Sequence, residues 1–303
     1  MAISTVKAVI NGTTTTLLLN TQTGLYEANL TAPSETSYNN NSGHYYPVVI
    51  QATDDAGNTT TISDSNETFG DFLKLRVKET TAPVITITNP TEGQMTGNKN
   101  PTVNWTITDS GAGVNPDTIG ITIDNGSKIT NGITKTPITN GYQCSYSIGD
   151  SLSDGAHTIY VDGSDYDDNK ATQRTVNFTV DTVPPQLSVK SPTNNYVTNK
   201  NTVVVSGSAS DIATGLSKIT VKVNVGTEKE ISFDENGNFN TEITLQEGAN
   251  TIVVTATDNG GMSSSVTRIV TLDTGAPVIS AISINPNPVS TGEILTVTVN
   301  VSD

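Results

Sequence analysis

Residues 248–261 read GANTIVVTATDNGG, a β-strand pattern that runs into a turn rich in Asp, Asn and Gly. A second strand pattern follows at residues 266–272. Strand, tight turn and strand predict a β-hairpin. Similar hairpins are predicted at residues 161–180 and, in the first part of the chain, from a strand that ends at residues 50–54 and another at residues 72–78.

Acidic residues mark the repeat that contains this hairpin. Three of them are each followed 30 positions later by an aspartate. The pairs are Glu79 and Asp109, Asp181 and Asp211, and Asp273 and Asp303. The leading acids open similar phrases, which read ETTAP at residues 79–83, DTVPP at residues 181–185 and DTGAP at residues 273–277. A recurring offset of this kind indicates one structural unit that is used repeatedly.

Apolar residues alternate in the early part of each repeat. Val103, Trp105 and Ile107 alternate with polar residues, and residues 203–209 and 295–301 follow the same pattern. A period of two predicts strands with one buried face and one wet face. Trp105 is therefore predicted to pack in a core, with a platform for a sugar or cofactor as the alternative.

The composition suits many short strands joined by turns. Hydrophobic residues make up 34% of the chain and charged residues 15%, and the regular alternation of the apolar residues argues against disorder. The formal net charge of −15 argues against binding to nucleic acid or to an anionic membrane surface. Either solubility through self-repulsion or cation binding explains it. The only cysteine, Cys144, is predicted to be a small buried hydrophobe in a strand.

The junction phrases predict an all-β chain of tandem immunoglobulin-like β-sandwich modules. Modules one, two and three are expected at residues 1–80, 81–181 and 182–273, with module one divergent. A proline near each junction acid stiffens the linker, so the modules are expected to form an extended rod. Residues 274–303 repeat only the first two strands of a module, and two strands alone are marginal in water.

Three interpretations of residues 274–303 are open. The chain is cut within a module, the segment folds back on module three, or its strands pair with another chain. At the other end, residues 1–10 pass directly into an alternating strand, without the basic segment and apolar run of a secretory signal. No window approaches the roughly 18 apolar residues of a membrane span. Synthesis in the host cytoplasm without a signal peptide, and no membrane insertion, are expected.

The junction at residues 181–185, together with residues 248–261, resembles bacterial and phage immunoglobulin-like repeat domains. The likeness covers modules two and three well and module one weakly, and it is most like an Ig-like phage or prophage tail-associated protein. Such domains occur in secreted surface adhesins, as accessory modules of sugar-active enzymes, and in tailed-phage virion proteins. The resemblance implies fold more strongly than function.

In this type of sandwich, the linker, the loop after the second strand and the late hairpin turn come together at one end. Asp181, Asp211 and Asp258 are therefore expected to meet, as are Glu79, Asp109 and Asp165. The final segment offers Asp273 and Asp303. Carboxylates in one small space repel each other unless they are neutralised, and calcium is the natural counter-ion.

The resemblance extends to these positions the idea that calcium stiffens the joint between modules. The alternative is that each aspartate simply hydrogen-bonds to its own turn.

Catalysis has little support in the sequence. His44 and His157 lie in different modules, so a multi-histidine metal site is not expected, and His157 is predicted to be a surface or turn residue. Motifs of serine hydrolases, zinc proteases and phosphate-binding loops are absent from the sequence. The chain is therefore expected to be non-enzymatic, with no catalytic residues and no cofactor other than structural calcium.

The resemblance implies a structural or host-contact component of a phage tail or related particle, located in the virion. Its modules would serve as a spacer or as a weak adhesive surface. The expected partners are other virion or tail proteins, copies of the chain itself, and a host cell-surface glycan met by exposed tyrosines. The candidate tyrosines are Tyr45, Tyr46, Tyr142 and Tyr166. The alternatives are a segment of a secreted adhesin on the bacterial cell surface, or an accessory glycan-binding module of a larger enzyme.

Overall fold

The structure, a computed structural model, describes residues 2–303 and divides into two compact units. Unit 1 contains residues 2–94, 100–152 and 156–178, and unit 2 contains residues 95–99, 153–155 and 179–303. Among residues 2–303, no helical segment has the length and apolar character that crossing a bilayer requires. β-Strands account for most of the regular structure in both units.

Module one contains a single sheet. Its strands are β1 Ile3–Ile10, β2 Thr13–Asn20, β3 Leu25–Glu27, β4 Tyr46–Asp54, β5 Thr59–Ile62 and β6 Lys74–Leu75, with a 3-10 helix at Gly70–Leu73. The sheet order is β3-β2-β1-β4-β5, and β6 also pairs with β4. This arrangement differs from the two-sheet sandwich expected for module one.

The predicted strand at residues 72–78 of module one is also wrong. The strand that follows the turn after β4 is β5, and most of the predicted stretch lies in the 3-10 helix or outside regular structure. The physical reason is that few apolar residues of this module are gathered into a core against which a second layer could pack. Val6, Ala8 and Tyr46 are the buried apolar residues of this module, whereas Leu18 and Phe72 are 72% and 85% exposed.

Module two is a sandwich of two four-stranded sheets. Its strands are β7 Val84–Asn89, β8 Gln94–Thr96, β9 Thr102–Thr108, β10 Val114–Ile123, β11 Thr134–Ile138, β12 Gly141–Ser147, β13 Gly155–Asp165 and β14 Arg174–Val180. The sheet orders are β11-β12-β9-β7 and β10-β13-β14-β8. The two sheets pack closely at Gly163 of β13. A Cβ atom added there would lie only 2.7 Å from Cδ1 of Ile107 in β9.

Module three has the same two-layer design. Its strands are β15 Gln186–Ser191, β16 Tyr196–Thr198, β17 Thr202–Ser210, β18 Leu216–Val223, β19 Lys229–Ile231, β20 Asn238–Thr244, β21 Gly248–Asp258 and β22 Ser263–Leu272. The sheet orders are β15-β17-β20 and β16-β22-β21-β18-β19. Side chains of both sheets, among them Val205, Phe239, Val254 and Val270, share one core. The predicted tandem immunoglobulin-like sandwich is confirmed, and the rod arrangement stays a prediction.

Residues 274–303 form only a hairpin, in which β23 Val278–Asn285 pairs with β24 Thr296–Ser302. Every residue of both strands is exposed, so the expectation that the segment folds back on module three is wrong. Val297 is 55% exposed and Val301 52%, although they repeat the alternation that buries Val103 and Ile107 in module two. The hairpin lacks the opposing sheet that buries those residues. The interpretations of a cut module and of pairing with another chain stay open.

The buried positions predicted for module two are confirmed. Trp105 is 0% exposed and Cys144 is 1% exposed, and the two residues are cross-strand partners in β9 and β12. Burial raises the pKa of the Cys144 thiol to about 11, so the thiol stays protonated and unreactive near neutral pH.

We expect Ile252→Ala to lower the free energy of unfolding of module three by about 2–5 kcal/mol, because the change opens a cavity in a packed core. Ile252 is 0% exposed in β21. Ile212→Ala is the matched control, because Ile212 is 99% exposed, and it should change stability by less than about 0.5 kcal/mol. Urea unfolding followed by circular dichroism measures both. Equal losses in the two variants would contradict the assigned core.

Candidate metal centres

Two clusters of three carboxylates lie in the structure. The first acidic cluster is Glu79, Asp109 and Asp165, and the second acidic cluster is Asp181, Asp211 and Asp258. In each cluster, one oxygen from every carboxylate lies within 4.8 Å of the others. These are the groups expected from the sequence. Whether they bind a metal is a separate question, which the hydrogen bonds of each carboxylate address.

Each cluster draws its members from the same three places in a module. The first member is the junction acid, the second follows the second strand of the first sheet, and the third is the last residue of the long hairpin strand. Asp109 follows β9 and Asp211 follows β17, while Asp165 ends β13 and Asp258 ends β21. The sandwich brings these three points to one end of each module.

Asp273 and Asp303 do not join such a cluster among the described residues. Asp273 is exposed, and its Oδ1 accepts a hydrogen bond from the backbone N–H of Gly275. The missing member is the one that a long hairpin strand supplies in modules two and three. Residues 274–303 contain only strands equivalent to the start of a module, so the third carboxylate has no counterpart there.

Four aspartates begin turns of one design, in which a carboxylate oxygen accepts the backbone N–H of the residue four positions later and the aspartate's own N–H donates to the backbone oxygen of that residue. These aspartates are Asp54, Asp165, Asp234 and Asp258. In the first three turns, that later residue is an asparagine whose side-chain Nδ2 donates to the second carboxylate oxygen. The donors are Asn58 at 2.9 Å, Asn169 at 2.7 Å and Asn238 at 3.0 Å. Both oxygens of these three carboxylates are therefore partnered within the turn.

The turn of the second acidic cluster breaks this pattern, because Met262 stands where the other turns have asparagine. Its backbone N–H reaches Asp258 Oδ1 at 2.8 Å, but its thioether has no proton to donate. Asp258 Oδ2 consequently has no hydrogen-bond partner, although Asp258 is only 2% exposed. A buried charged oxygen without a partner is costly, so a cation at this place would relieve a real penalty.

The other two members of the second acidic cluster are held in place by the loops around them. Asp181 Oδ1 accepts the N–H of Val183 at 3.0 Å, and Asp181 Oδ2 accepts the hydroxyl of Thr214 at 2.7 Å. Asp211 Oδ1 accepts the N–H groups of Thr214 and Gly215 at 2.8 and 2.9 Å. Asp181 is 0% exposed. Thr214 thus ties the junction acid to the loop that carries Asp211.

Backbone N–H groups also hold the carboxylates of the first acidic cluster. Glu79 Oε1 accepts the N–H of Ala112 at 2.7 Å, and Asp109 Oδ1 accepts the N–H groups of Gly111 and Gly113 at 2.9 Å each. Burial raises the pKa of Asp109, and the negative charges of Glu79 and Asp165 raise it further, while the two N–H donors oppose the shift. Burial is thus the main cause of the raised pKa of Asp109, and repulsion within the cluster adds to it.

A loop of module one rests on the loops that carry the first acidic cluster. Thr36 donates its hydroxyl proton to Asp167 at 2.5 Å, and Asn39 donates to the backbone oxygen of Gly111 at 2.8 Å. Asp167 also accepts the N–H of Glu79 at 3.0 Å. One side chain of the hairpin turn therefore holds both the loop and the junction acid.

Aromatic stacking adds to this contact within unit 1. The Tyr38 ring lies between those of His44 and Tyr166, at centroid distances of 4.0 and 4.2 Å. Tyr166 is thus partly covered, and Tyr46 is only 4% exposed. The idea that Tyr46 offers an exposed adhesive surface is therefore wrong, because that side chain fills the small core of module one.

The expectation that His157 is a surface residue is also wrong. His157 is 6% exposed, its Nδ1 lies 2.9 Å from Asp124 Oδ2, and its ring tilts against Phe178. The reason is its phase in β13, where it occupies the first of the inward-facing alternate positions. Asn250 holds the equivalent place in β21 and is 0% exposed. This position is therefore buried in both modules.

Two protein families match parts of the chain. The bacterial Ig domain family matches residues 83–161, and domain B of glucodextranase matches residues 185–274. The chain is built from immunoglobulin-like repeats. Repeats of this kind are typically non-catalytic, although domain B of glucodextranase is part of an enzyme. The comparison with curated proteins finds no match.

Several solved structures are similar to this immunoglobulin-like chain. Fibronectin(III)-like modules of CbhA from Clostridium thermocellum share 16% identity, over 63% of this chain and 94% of that one, with a TM-score of 0.42. A titin fragment shares 12% identity, over 76% and 74%, with a TM-score of 0.45. A tetra-tandem repeat from the extending region of a large adhesion protein shares 17%, over 98% and 79%, with a TM-score of 0.31. The fold assignment rests on the sheets and the family matches.

We expect Asp109→Asn to stabilise unit 1 in the presence of chelator, increasingly so as pH rises. The raised pKa means that the folded protein holds this proton more tightly than the unfolded chain. Its contribution to stability is therefore full below the ordinary Asp value of about 3.9 and is lost as pH rises through the folded value. Asparagine removes the charge and keeps an oxygen for Gly111 and Gly113.

Urea unfolding of wild type and Asp109→Asn in EGTA between pH 4 and pH 7 tests this expectation. The difference between the two proteins isolates Asp109 from carboxylates whose pKa is lowered, such as Asp54, which Asn58 stabilises by a side-chain hydrogen bond. A stability difference that stays constant with pH would show that repulsion in the first acidic cluster is not relieved by the change.

Proposed function

We propose that this chain is a structural and host-contact component of a phage tail or related particle, with its immunoglobulin-like modules serving as a spacer and a weak adhesive surface. Repeated sandwiches add length and display surface without a catalytic cleft, which supports a spacer. The resemblance of the junction and hairpin phrases to phage immunoglobulin-like domains supports a place in the virion. The partners would be other tail proteins or further copies of the chain, together with a glycan on the host cell.

We further propose that calcium occupies the second acidic cluster and restrains the junction at Asp181. The observation that carries this step is Asp258 Oδ2, a carboxylate oxygen that is buried and has no hydrogen-bond partner. Calcium is a hard cation that accepts six to eight oxygen ligands, including carboxylates, backbone carbonyls and water. Asp181, Asp211 and Asp258 would supply the carboxylates, and a divalent ion would neutralise two of their three negative charges.

The first acidic cluster would bind calcium more weakly. Asn169 already donates to Asp165 Oδ2, so a cation there would compete with a hydrogen bond that the second cluster lacks. Glu79 replaces the aspartate found at the other junctions and carries a longer side chain. Calcium binding to Glu79, Asp109 and Asp165 would nevertheless offset the burial and the repulsion that together raise the pKa of Asp109. The two clusters are therefore expected to differ in affinity rather than in kind.

We expect about 1 mM calcium to raise the melting temperature of unit 2 by on the order of 5–10 °C relative to EGTA, because an ion that binds only the folded state stabilises it by mass action. Asp258→Asn should abolish most of this shift. Differential scanning calorimetry measures it, with magnesium as the control ion. Coincident melting curves in calcium and EGTA would remove calcium from the proposal and leave the spacer role standing.

Met262→Asn provides a sharper test of the same site. The new amide can donate to Asp258 Oδ2 as Asn169 does to Asp165, so the cation-free protein should gain about 1–3 kcal/mol. Its response to calcium should shrink, because the oxygen that needed a cation now has a partner. Asn169→Met is the matched reverse change in the first acidic cluster, and it should lose stability in EGTA and gain calcium response. Unchanged calcium responses in both variants would contradict the role given to Asp258 Oδ2.

The place in a particle is tested by mass spectrometry and antibody labelling of purified particles from the organism that encodes the chain. Labelled tails support the proposal, whereas label confined to cell walls would favour the secreted adhesin. A second candidate is an accessory module of a sugar-active enzyme, which is favoured by the match of glucodextranase domain B to residues 185–274. An immunoblot that detects the chain only within a larger catalytic polypeptide would favour that candidate.

A further inference from the structure

A surface groove of module two lies on the outer face of β13. Its volume is about 670 Å³, and charged and hydroxyl side chains dominate its rim. The residues that matter here are Asp117, Thr118, Lys128, Asp162, Ser164 and Lys170. Asp162 and Ser164 alternate with the buried Val161 and Gly163, so they point away from the core.

The groove exists because β10 leaves the regular pairing with β13. Asn115 pairs with Ser164, and the next pair is Gly120 with Asp162. Between these two pairs the chain advances five residues in β10 but only two residues in β13. In module three, the equivalent step runs only from Leu216 to Lys218. The extra residues of β10 form one wall of the groove, and module three has no counterpart of that wall.

A glycine beneath the Lys128 side chain lets that side chain lie along the edge of the groove. Gly120 pairs with Asp162, whereas Thr220 pairs with Thr255 at the equivalent place in module three. A Cβ atom on Gly120 would clash with the side chain of Lys128, which crosses the strand at this point. Lys128 Nζ makes an ion pair with Asp162 and donates to the backbone oxygen of Thr118 at 2.9 Å.

The second wall also distinguishes the two modules. In module three, β22 pairs with β21 as far as Ser263, and side-chain hydrogen bonds join Thr255 to Ser265 and Thr257 to Ser263. In module two, β14 begins only at Arg174, and the preceding segment touches β13 through a single bridge between Ser164 and Lys170. The hydroxyl hydrogen bonds that join the two strands on this face of module three are therefore not made at the equivalent place in module two, and the groove lies there.

We propose that this groove binds a polyhydroxylated ligand, namely a segment of an oligosaccharide. Each sugar hydroxyl both donates and accepts, and the rim offers matching groups of both kinds. The carboxylates of Asp117 and Asp162 accept, the ammonium groups of Lys128 and Lys170 donate, and Ser164 does either. Methylene groups of the lysines and the methyl group of Ala171 supply apolar contact for the faces of sugar rings.

Other ligand classes fit less well. Nucleic acid would meet two carboxylates on a chain of net charge −15. A purely apolar ligand would strip water from four charged groups without replacing their hydrogen bonds. The open shape predicts weak binding, with dissociation constants in roughly the millimolar range. This inference rests on the adhesive role in the proposed function, and it places the adhesive surface at the groove of module two.

Titration of the isotope-labelled full chain with oligosaccharides, followed by NMR, tests the proposal. The probes are cellotriose, chitotriose and trigalacturonate at up to about 10 mM, the range that weak binding requires. At least one of them should shift the amide signals of Gly120, Asp162, Ser164 and Ala171. Absence of any shift with all three probes, or shifts confined to other faces, would overturn the proposal.

Two variants and one control locate the effect. Gly120→Thr installs the module-three residue and should weaken binding at least about tenfold, because its side chain would displace Lys128, which lines the groove. Asp162→Asn keeps the shape and removes the charge, so it should weaken binding similarly even if Gly120→Thr folds poorly. Thr255→Ala changes the equivalent face of module three and should leave affinity unchanged. Equal loss in Thr255→Ala would overturn the assignment to module two.

A cell-wall binding assay distinguishes a failure of this inference from a failure of the proposed function. Fluorescently labelled wild type that fails to bind any host cell wall would sink the adhesive role. Wild type and Gly120→Thr that bind cell walls equally well would leave adhesion standing and place it on another surface.

Discussion

The two complete modules depend on one constraint, which is that each of two sheets must bury one face against the other. A period of two in the sequence meets that constraint in β9 and β17, where alternate residues such as Trp105 and Val205 are 0% exposed. The hairpin of β23 and β24 carries the same alternation and remains exposed. Alternation is thus necessary for burial and becomes effective only when the opposing sheet is present.

The sandwich also brings carboxylates together at one end of each module. Three points far apart in the chain converge there, because the long hairpin strand and the second strand of the first sheet finish at the same end. Backbone N–H groups of tight turns, such as those of Gly111 and Gly215, hold the carboxylates in position. The turns fix the positions of the carboxylates, and they leave a net negative charge in each acidic cluster that a bound cation would reduce.

Much of this organisation could be predicted from the sequence. The offset between Asp181 and Asp211, with Asp258 at the end of the hairpin strand, was enough to predict that the three acids meet. The same reasoning failed for Asp273 and Asp303, because it did not require the third member to be present. It also failed for module one, where the first strand is as predicted but later apolar residues, such as Leu18 and Phe72, stay exposed and build no second sheet.

The sequence by itself determined the all-β class, the repeat, the buried Trp105 and Cys144, and the members of both acidic clusters. These follow from local periodicity and from spacing that one module shares with the next. Only the tertiary structure decided that Asp258 Oδ2 lacks a partner, that His157 is buried, and that Lys128 and Asp162 line an open groove. Each of these depends on atoms brought together from distant parts of the chain, where burial and hydrogen-bond geometry leave no mark on the local pattern.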